Sequence, residues 1–236
     1  MGKIVAVGSG CGGVGKSTIA LSVAVCAARH GKHTVLLDAS GASRSCDLML
    51  GLESIVVLDM MDVVRQQSSI QNALYPVSGH RNLEFACASL YEGTPVSELS
   101  GILLALRAMS DLLVIDLPTG PIAISEGILD KNDAILLVTR PDDISIRALE
   151  RTMSVMPTGN AERHLVINRA NAALVKKKVQ YAAANVEMIL DMPASGVITE
   201  DESISSSIGR GKPAAECSLR ARGEFEKLLK NVLQGA

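Results

Sequence analysis

The stretch from Lys3 to Val25, KIVAVGSGCGGVGKSTIALSVAV, constrains the fold more than any other part of the chain. A short apolar run stops at a cluster of glycines, and a longer apolar segment of helical character follows at once. Within it, Gly10-Cys11-Gly12-Gly13-Val14-Gly15-Lys16-Ser17 fits G-x-x-x-x-G-K-[ST] in the strand-then-helix setting that pattern requires. Glycines let a backbone curl until its N–H groups converge on phosphate oxygens, and the following helix adds the positive end of its dipole. In such a loop Lys16 reaches the β- and γ-phosphates, the Ser17 hydroxyl ligates Mg²⁺, and Thr18 contacts the α-phosphate. Gly10 to Thr18 is therefore the first candidate binding segment. The plain alternative is a glycine-rich turn without a ligand.

The remaining chain repeats the alternation of short apolar run and helix. Strands are expected at 3–9, 33–38, 83–88, 111–116, 134–139, 164–168 and 195–199. Most are continuous apolar runs, the signature of parallel strands buried on both faces. Helices are expected at 17–31, 57–66, 98–109, 145–156 and 172–190. The pattern predicts one α/β domain over residues 1–236, a doubly wound, mostly parallel sheet of about seven or eight strands flanked by helices.

Two acids end apolar strands. Asp116 closes LLVID, where ligands bind in open parallel sheets, and fits a carboxylate that holds the metal's water shell. Asp38 closes TVLLD in the equivalent place on another strand. Each could instead cap a helix or a loop.

Composition removes several function classes. Apolar residues make up 47% and charged residues 20%, which excludes a disordered chain. The net charge of -2 provides no general attraction to nucleic acid, and 2% aromatic content argues against base stacking. VKKKVQ (175–180) reads as a solvated helix face. Five scattered cysteines without metal spacing fit reduced thiols in a cytoplasmic protein. The N-terminal run is too short and too broken by glycine for a signal segment, and no stretch approaches the roughly 20 apolar residues of a membrane helix.

The motifs taken together carry a family resemblance. GSGCGGVGKST, TVLLDASGASRSCDLMLGLE, LLVIDLPTG and DAILLVTRPDDISIRALER are similar, in order, to the MinD branch of the MinD/ParA ATPases, as are GLESIVVLDMMDVV and GVITEDESISSSIGRGKPA. The resemblance implies a P-loop NTPase fold of the SIMIBI type. It also implies ATP/ADP and Mg²⁺ as cofactors, a homodimer with ATP at its interface, a protein regulator, and slow hydrolysis that reverses dimerisation. By position it assigns Asn168 and the segment Val197–Asp201, with Val197, Thr199 and Asp201, to the adenine. Lys16 and Asp38 become the catalytic pair, and Ser17, Asp38 and Asp116 the metal set. Roles in septum placement, flagellum or pilus positioning, and partition all fall within the family.

Three departures bear on activity. Cys11 stands where the family carries a signature lysine that reaches the partner's phosphates, and a thiol cannot neutralise phosphate charge. Ser40 stands where a second switch carboxylate is usual, and a hydroxyl is a poor general base. The family's basic membrane tail has no counterpart, because the chain ends EFEKLLKNVLQGA. Phe225, Leu228, Leu229, Val232 and Leu233 form one apolar stripe there, expected as a core helix rather than a membrane-surface helix. Cys11 and Ser40 favour a second reading, a nucleotide-holding regulatory or scaffold protein that does not hydrolyse. A third, a P-loop ligase of the dethiobiotin synthetase kind, lacks an evident substrate-binding insertion.

Overall fold

The computed structural model describes residues 1–41, 44–90, 96–120, 128–156, 160–207 and 210–234. Positions 42–43 and 208–209, within two of the stretches that resemble the MinD branch, lie outside the described residues. The strands are β1 (Lys3–Ser9), β2 (Thr34–Asp38), β3 (Tyr75–Pro76), β4 (Leu83–Cys87), β5 (Leu112–Asp116), β6 (Ala134–Thr139), β7 (Glu162–Ala170) and β8 (Ala194–Thr199). The helices are α1 (Lys16–Arg29), α2 (Ser45–Leu50), α3 (Met60–Val64), α4 (Ser100–Met109), α5 (Asp143–Ser154), α6 (Ala172–Lys176), α7 (Ala183–Leu190), α8 (Glu202–Ser207) and α9 (Leu219–Gln234).

All eight strands join one sheet in the order β3-β4-β2-β5-β1-β6-β7-β8, and only the β3–β4 pair is antiparallel. This is the doubly wound sheet expected from the alternating runs. β1 lies between β5 and β6, so the chain leaves the sheet centre straight into the glycine loop. The pleat divides each apolar run between two cores. Val5 and Val7 of β1, with Leu36 of β2 and Leu112 and Val114 of β5, face α1 and α9. Ile4 and Ala6, with Val35, Leu37, Leu113 and Ile115, face the side of α4, α5 and α7.

α1 has nearly all its residues from Ile19 to Ala28 fully buried, because the sheet covers one side and α9 the other. The C-terminal stripe is core: Phe225, Leu228, Leu229 and Val232 are at most 2% exposed. Burial of that stripe leaves no apolar face of α9 for a lipid surface.

Two expected helices differ. The segment 172–190 breaks into α6 and α7. Lys178 adopts φ 58°, a left-handed conformation that ends the first turn set. Local polar contacts hold the break: the Gln180 side chain accepts from Asn171 N and donates to Arg169 O, and Tyr181 Oη donates to Asp143 at 2.7 Å. The segment 57–66 shrinks to α3, started by a capping box in which Asp59 and Asp62 each accept the other's backbone N–H and ended near Gln66 at φ 60°. β3, α2 and α8 are too short to have produced a periodic signal.

Phe225 packs between α1, β8 and the 3₁₀ turn at Ala214–Glu216 with no exposure. Phe225→Ala is expected to cost about 3–5 kcal/mol of unfolding free energy, read by urea denaturation.

Candidate functional site

Parallel register builds the site. β2 and β5 pair with Asp38 directly beside Asp116, so both carboxylates emerge together at the C-terminal edge of the sheet. Val7 of β1 pairs with Asp116 in turn, which brings the glycine loop over them. Both acids are buried, Asp38 to 3% and Asp116 to 0% exposure.

Lys16, in the first turn of α1, donates to Asp116 Oδ1 at 2.6 Å. Burial pushes the Asp116 carboxyl up to about 6, with Asp38 adding to the rise and Lys16 opposing it. Ser17 follows Lys16 in the chain and lines the cavity wall. Asp38 is held by its own loop: Oδ1 accepts from Ser40 N at 2.9 Å and Ser40 Oγ at 2.6 Å, and Oδ2 accepts from Cys46 N at 3.1 Å.

Above the acids lies an open cavity of about 400 Å³. Loop residues 11–18 line it, together with Ser9, Ser40, Ser45, Met49, Thr119 and Arg169. Two loop glycines are required by close approach. A Cβ at Gly10 would stand 2.2 Å from the Ala148 carbonyl carbon of α5. Gly15 has φ 90°, and a Cβ there would lie 2.2 Å from Asn168 Nδ2. Gly12 and Gly13 are different, because a Cβ on either meets nothing within 4 Å. They leave the mouth of the loop open.

The two departures have definite contacts. Cys11 is half-buried and packs against the core, with Sγ 3.8 Å from Ser145 Oγ at the start of α5. The Ser40 hydroxyl donates to Asp38.

Of the adenine candidates, Asn168 stands against the loop: it is 6% exposed, and its Nδ2 donates to Val14 O at 2.7 Å. Val197, Thr199 and Asp201 are not among the described residues lining the cavity. Thr199 Oγ1 donates to Glu224 at 2.7 Å, and its N–H donates to the same carboxylate. Asp201 accepts from Ser203 N and Oγ and from Ser218 Oγ, bracing α8 against the start of α9. Of the TRPDD segment, Asp142 caps α5 by accepting from Ser145 N. Ser45, Cys46 and Thr119 lie within stretches that carry the resemblance but were not singled out as site residues, and neither was Arg169. Arg169, at φ 55°, follows Asn168 at the strand end and turns into the cavity wall.

A lysine and a ring of N–H groups over two buried carboxylates, at the C-terminal edge of a doubly wound parallel sheet, define a P-loop nucleotide-binding protein. The ParA family model, described as NUBPL iron-transfer P-loop NTPase, matches residues 1–233. The septum site-determining protein MinD of Helicobacter pylori is 30% identical over 244 residues, an alignment covering 99% of this chain and 91% of that protein. The chain belongs to the ParA/MinD family of P-loop NTPases. Among solved structures, the MinC:MinD cell division protein complex of Aquifex aeolicus superposes with TM-score 0.85 at 22% identity, covering 99% of this chain and 96% of that one. MinD of Pyrococcus horikoshii complexed with Mg-ADP gives TM-score 0.83 at 22% identity, with 99% and 97% coverage. These two structures bear on the fold.

Asn168→Ala leaves Val14 O buried without its donor and is expected to cost about 1–3 kcal/mol, measured by urea denaturation. Asp201 supplies a pH signature. Hydrogen bonds from Ser203 and then Ser218 pull its carboxyl down to about 2 from 3.8. A depressed carboxyl stabilises the fold above its unfolded value, and that stability is lost as pH falls toward 2. Asp201→Asn should therefore lower Tm at neutral pH, and the difference from the parent chain should shrink as acid is added.

Proposed function

We propose that this chain binds ATP or ADP with Mg²⁺ and acts as a dimerisation switch with slow hydrolysis. The observation that carries the reading is the Lys16–Asp116 pair at the floor of the glycine loop. An ammonium held at 2.6 Å from an acid, beside an open cradle of backbone N–H groups, is placed to transfer its charge to a phosphate. The residues present fit the nucleotide and its metal. Gly12 and Gly13 face open space at the mouth of the loop, and Ser17, Asp38 and Asp116 offer the hard oxygen donors that Mg²⁺ prefers.

In this reading the loop amides and Lys16 hold the β- and γ-phosphates, and Ser17 and Asp116 face the metal. Mg²⁺ supplies charge neutralisation on the phosphates during transfer. Asp38, fixed by Ser40 and by Cys46 N, orients a water or the metal's shell. Arg169 and Asn168 stand on the side where the base would lie, and the segment 197–201 continues that side along the neighbouring strand end.

Residues 1–236 act here as one nucleotide-binding unit, as a homodimer with ATP between subunits. The role is in spatial positioning, as the septum site-determining names of its relatives suggest for them. A protein regulator is expected by analogy with the MinC:MinD complex. Among the described residues no helix is long and apolar enough to cross a membrane. A cytoplasmic setting accords with five unpaired cysteines.

The contacts of Cys11 and Ser40 favour one alternative, a nucleotide holder that turns over little or not at all. Cys11 points to Ser145 and carries no charge for a partner's phosphates. Ser40 donates its hydroxyl proton to Asp38. Losing one preorganised transition-state contact typically costs about 10²- to 10³-fold.

Single-turnover ATP hydrolysis recorded alongside light scattering separates the two. A switch shows ATP-dependent dimers that decay with hydrolysis; a holder shows dimers that persist. Lys16→Ala should abolish ATP binding in calorimetry. Cys11→Lys with Ser40→Asp should raise turnover about tenfold or more. Brisk turnover in the parent chain, unchanged by the pair, would overturn the roles given to those two positions.

A further inference from the structure

The donor set beneath the loop contains a sulfur. Cys46, in the first turn of α2, is fully buried, and its Sγ lies 3.6 Å from Asp116 Oδ2. One ligand atom from each of Asp38, Cys46 and Asp116 falls within 4.8 Å of the other two. We propose that these three side chains form a site for a thiophilic divalent cation of the zinc class, which the nucleotide-free protein binds through sulfur and two carboxylate oxygens.

Three observations support the site. The first is spacing. A tetrahedral ion with metal–sulfur near 2.3 Å and metal–oxygen near 2.0–2.2 Å holds sulfur and oxygen ligands roughly 3.5 Å apart. The Cys46–Asp116 pair stands at that separation before any ion enters. The second is the outer shell. Lys16 holds Asp116 Oδ1, which leaves Oδ2 turned toward the sulfur. The Ser40 amide and hydroxyl hold Asp38 Oδ1, which leaves Oδ2 beside the Cys46 backbone. Held outer atoms of this kind orient ligands in metal sites.

The third observation is charge. Two carboxylates and a thiolate carry three negative charges; a divalent ion and the Lys16 ammonium carry three positive. The ion can therefore enter with Lys16 in place and leave the buried cluster neutral. On binding, the Cys46 S–H bond breaks, a sulfur–metal bond forms, and the proton leaves to bulk water; no electron is transferred. The three ligands are buried beneath the loop, and Lys16 and Ser17, which line the cavity, stand between them and its mouth.

Sulfur sets the preference. Mg²⁺ favours oxygen ligands in an octahedron and uses thiolate poorly, whereas zinc and cobalt(II) accept a mixed sulfur–oxygen set. The inference concerns the chain without nucleotide, so it stands or falls separately from the MgATP reading, although both use Asp38 and Asp116.

The test titrates cobalt(II) chloride into the full, reduced, nucleotide-free chain. A near-ultraviolet sulfur-to-cobalt charge-transfer band that saturates at one equivalent, with release of a proton to a pH indicator, is expected. Cys46→Ser should abolish the band and weaken zinc binding in calorimetry about tenfold or more. Cys217→Ser, which changes a half-buried thiol outside the loop cavity, should leave both unchanged. X-ray absorption of the unsubstituted zinc complex provides a check that does not depend on any variant folding, with one sulfur near 2.3 Å among oxygen neighbours expected. No charge-transfer band, a band that survives Cys46→Ser, or an all-oxygen zinc shell would overturn the proposal.

Discussion

The ion pair between Lys16 and Asp116 organises the centre of the molecule. At 2.6 Å, with side chains 8% and 0% exposed, it joins the helix after the glycine loop to the middle of the sheet. Such a pair is poor evidence for stability in itself, since desolvation of both groups offsets much of their attraction. Its consequence is arrangement. Parallel register sets Asp38 beside Asp116. Burial lifts the Asp116 carboxyl to about 6, with Asp38 adding to the rise and Lys16 opposing it. An anion that drew Lys16 away would leave an acid pair without its counter-charge. In the proposed reading, phosphate binding and cation binding would be coupled through this one side chain.

The fold was legible because its strands are buried on both faces. VLL of β2 and LLVI of β5 are uninterrupted apolar runs whose alternate residues enter different cores. The loop was legible because its glycines are demanded by geometry, Gly15 by its φ of 90° and by Asn168. Other features depended on contacts between distant residues, which carry no periodic signal. The 172–190 segment has the composition of one helix, yet Gln180 and Tyr181 bond to residues outside it, and a left-handed Lys178 divides it. The link from Asn168 to Val14 spans 154 positions. Cysteine spacing along the chain does not reveal that Cys46 meets two acids from different strands. The C-terminal stripe was ambiguous in sequence, because a core helix and a lipid-facing helix share a 3.6-residue period; packing on α1 and β8 resolves it.

Cys11 and Ser40 share one physical character. Each is a small neutral group, and each forms a contact inside its own subunit, Cys11 with Ser145 and Ser40 with Asp38. A lysine at position 11 would have to leave the half-buried niche against α5 to place its ammonium in solvent. An aspartate at position 40 would face Asp38, adding a third carboxylate to a cluster that already lifts the Asp116 titration. The present residues therefore reduce charge at the site in two steps of opposite sign.

Cys46 gives that local balance a chemical direction. With a carboxylate at position 40, the cluster would be dominated by hard oxygen, the donor type that suits Mg²⁺. With a serine there and a buried thiol 3.6 Å from Asp116, sulfur becomes a larger share of the available ligands. Burial, with the two acids adding to it, holds the Cys46 thiol protonated, so it is quiet toward ordinary electrophiles, and a cation placed between it and the carboxylates would favour its ionised form.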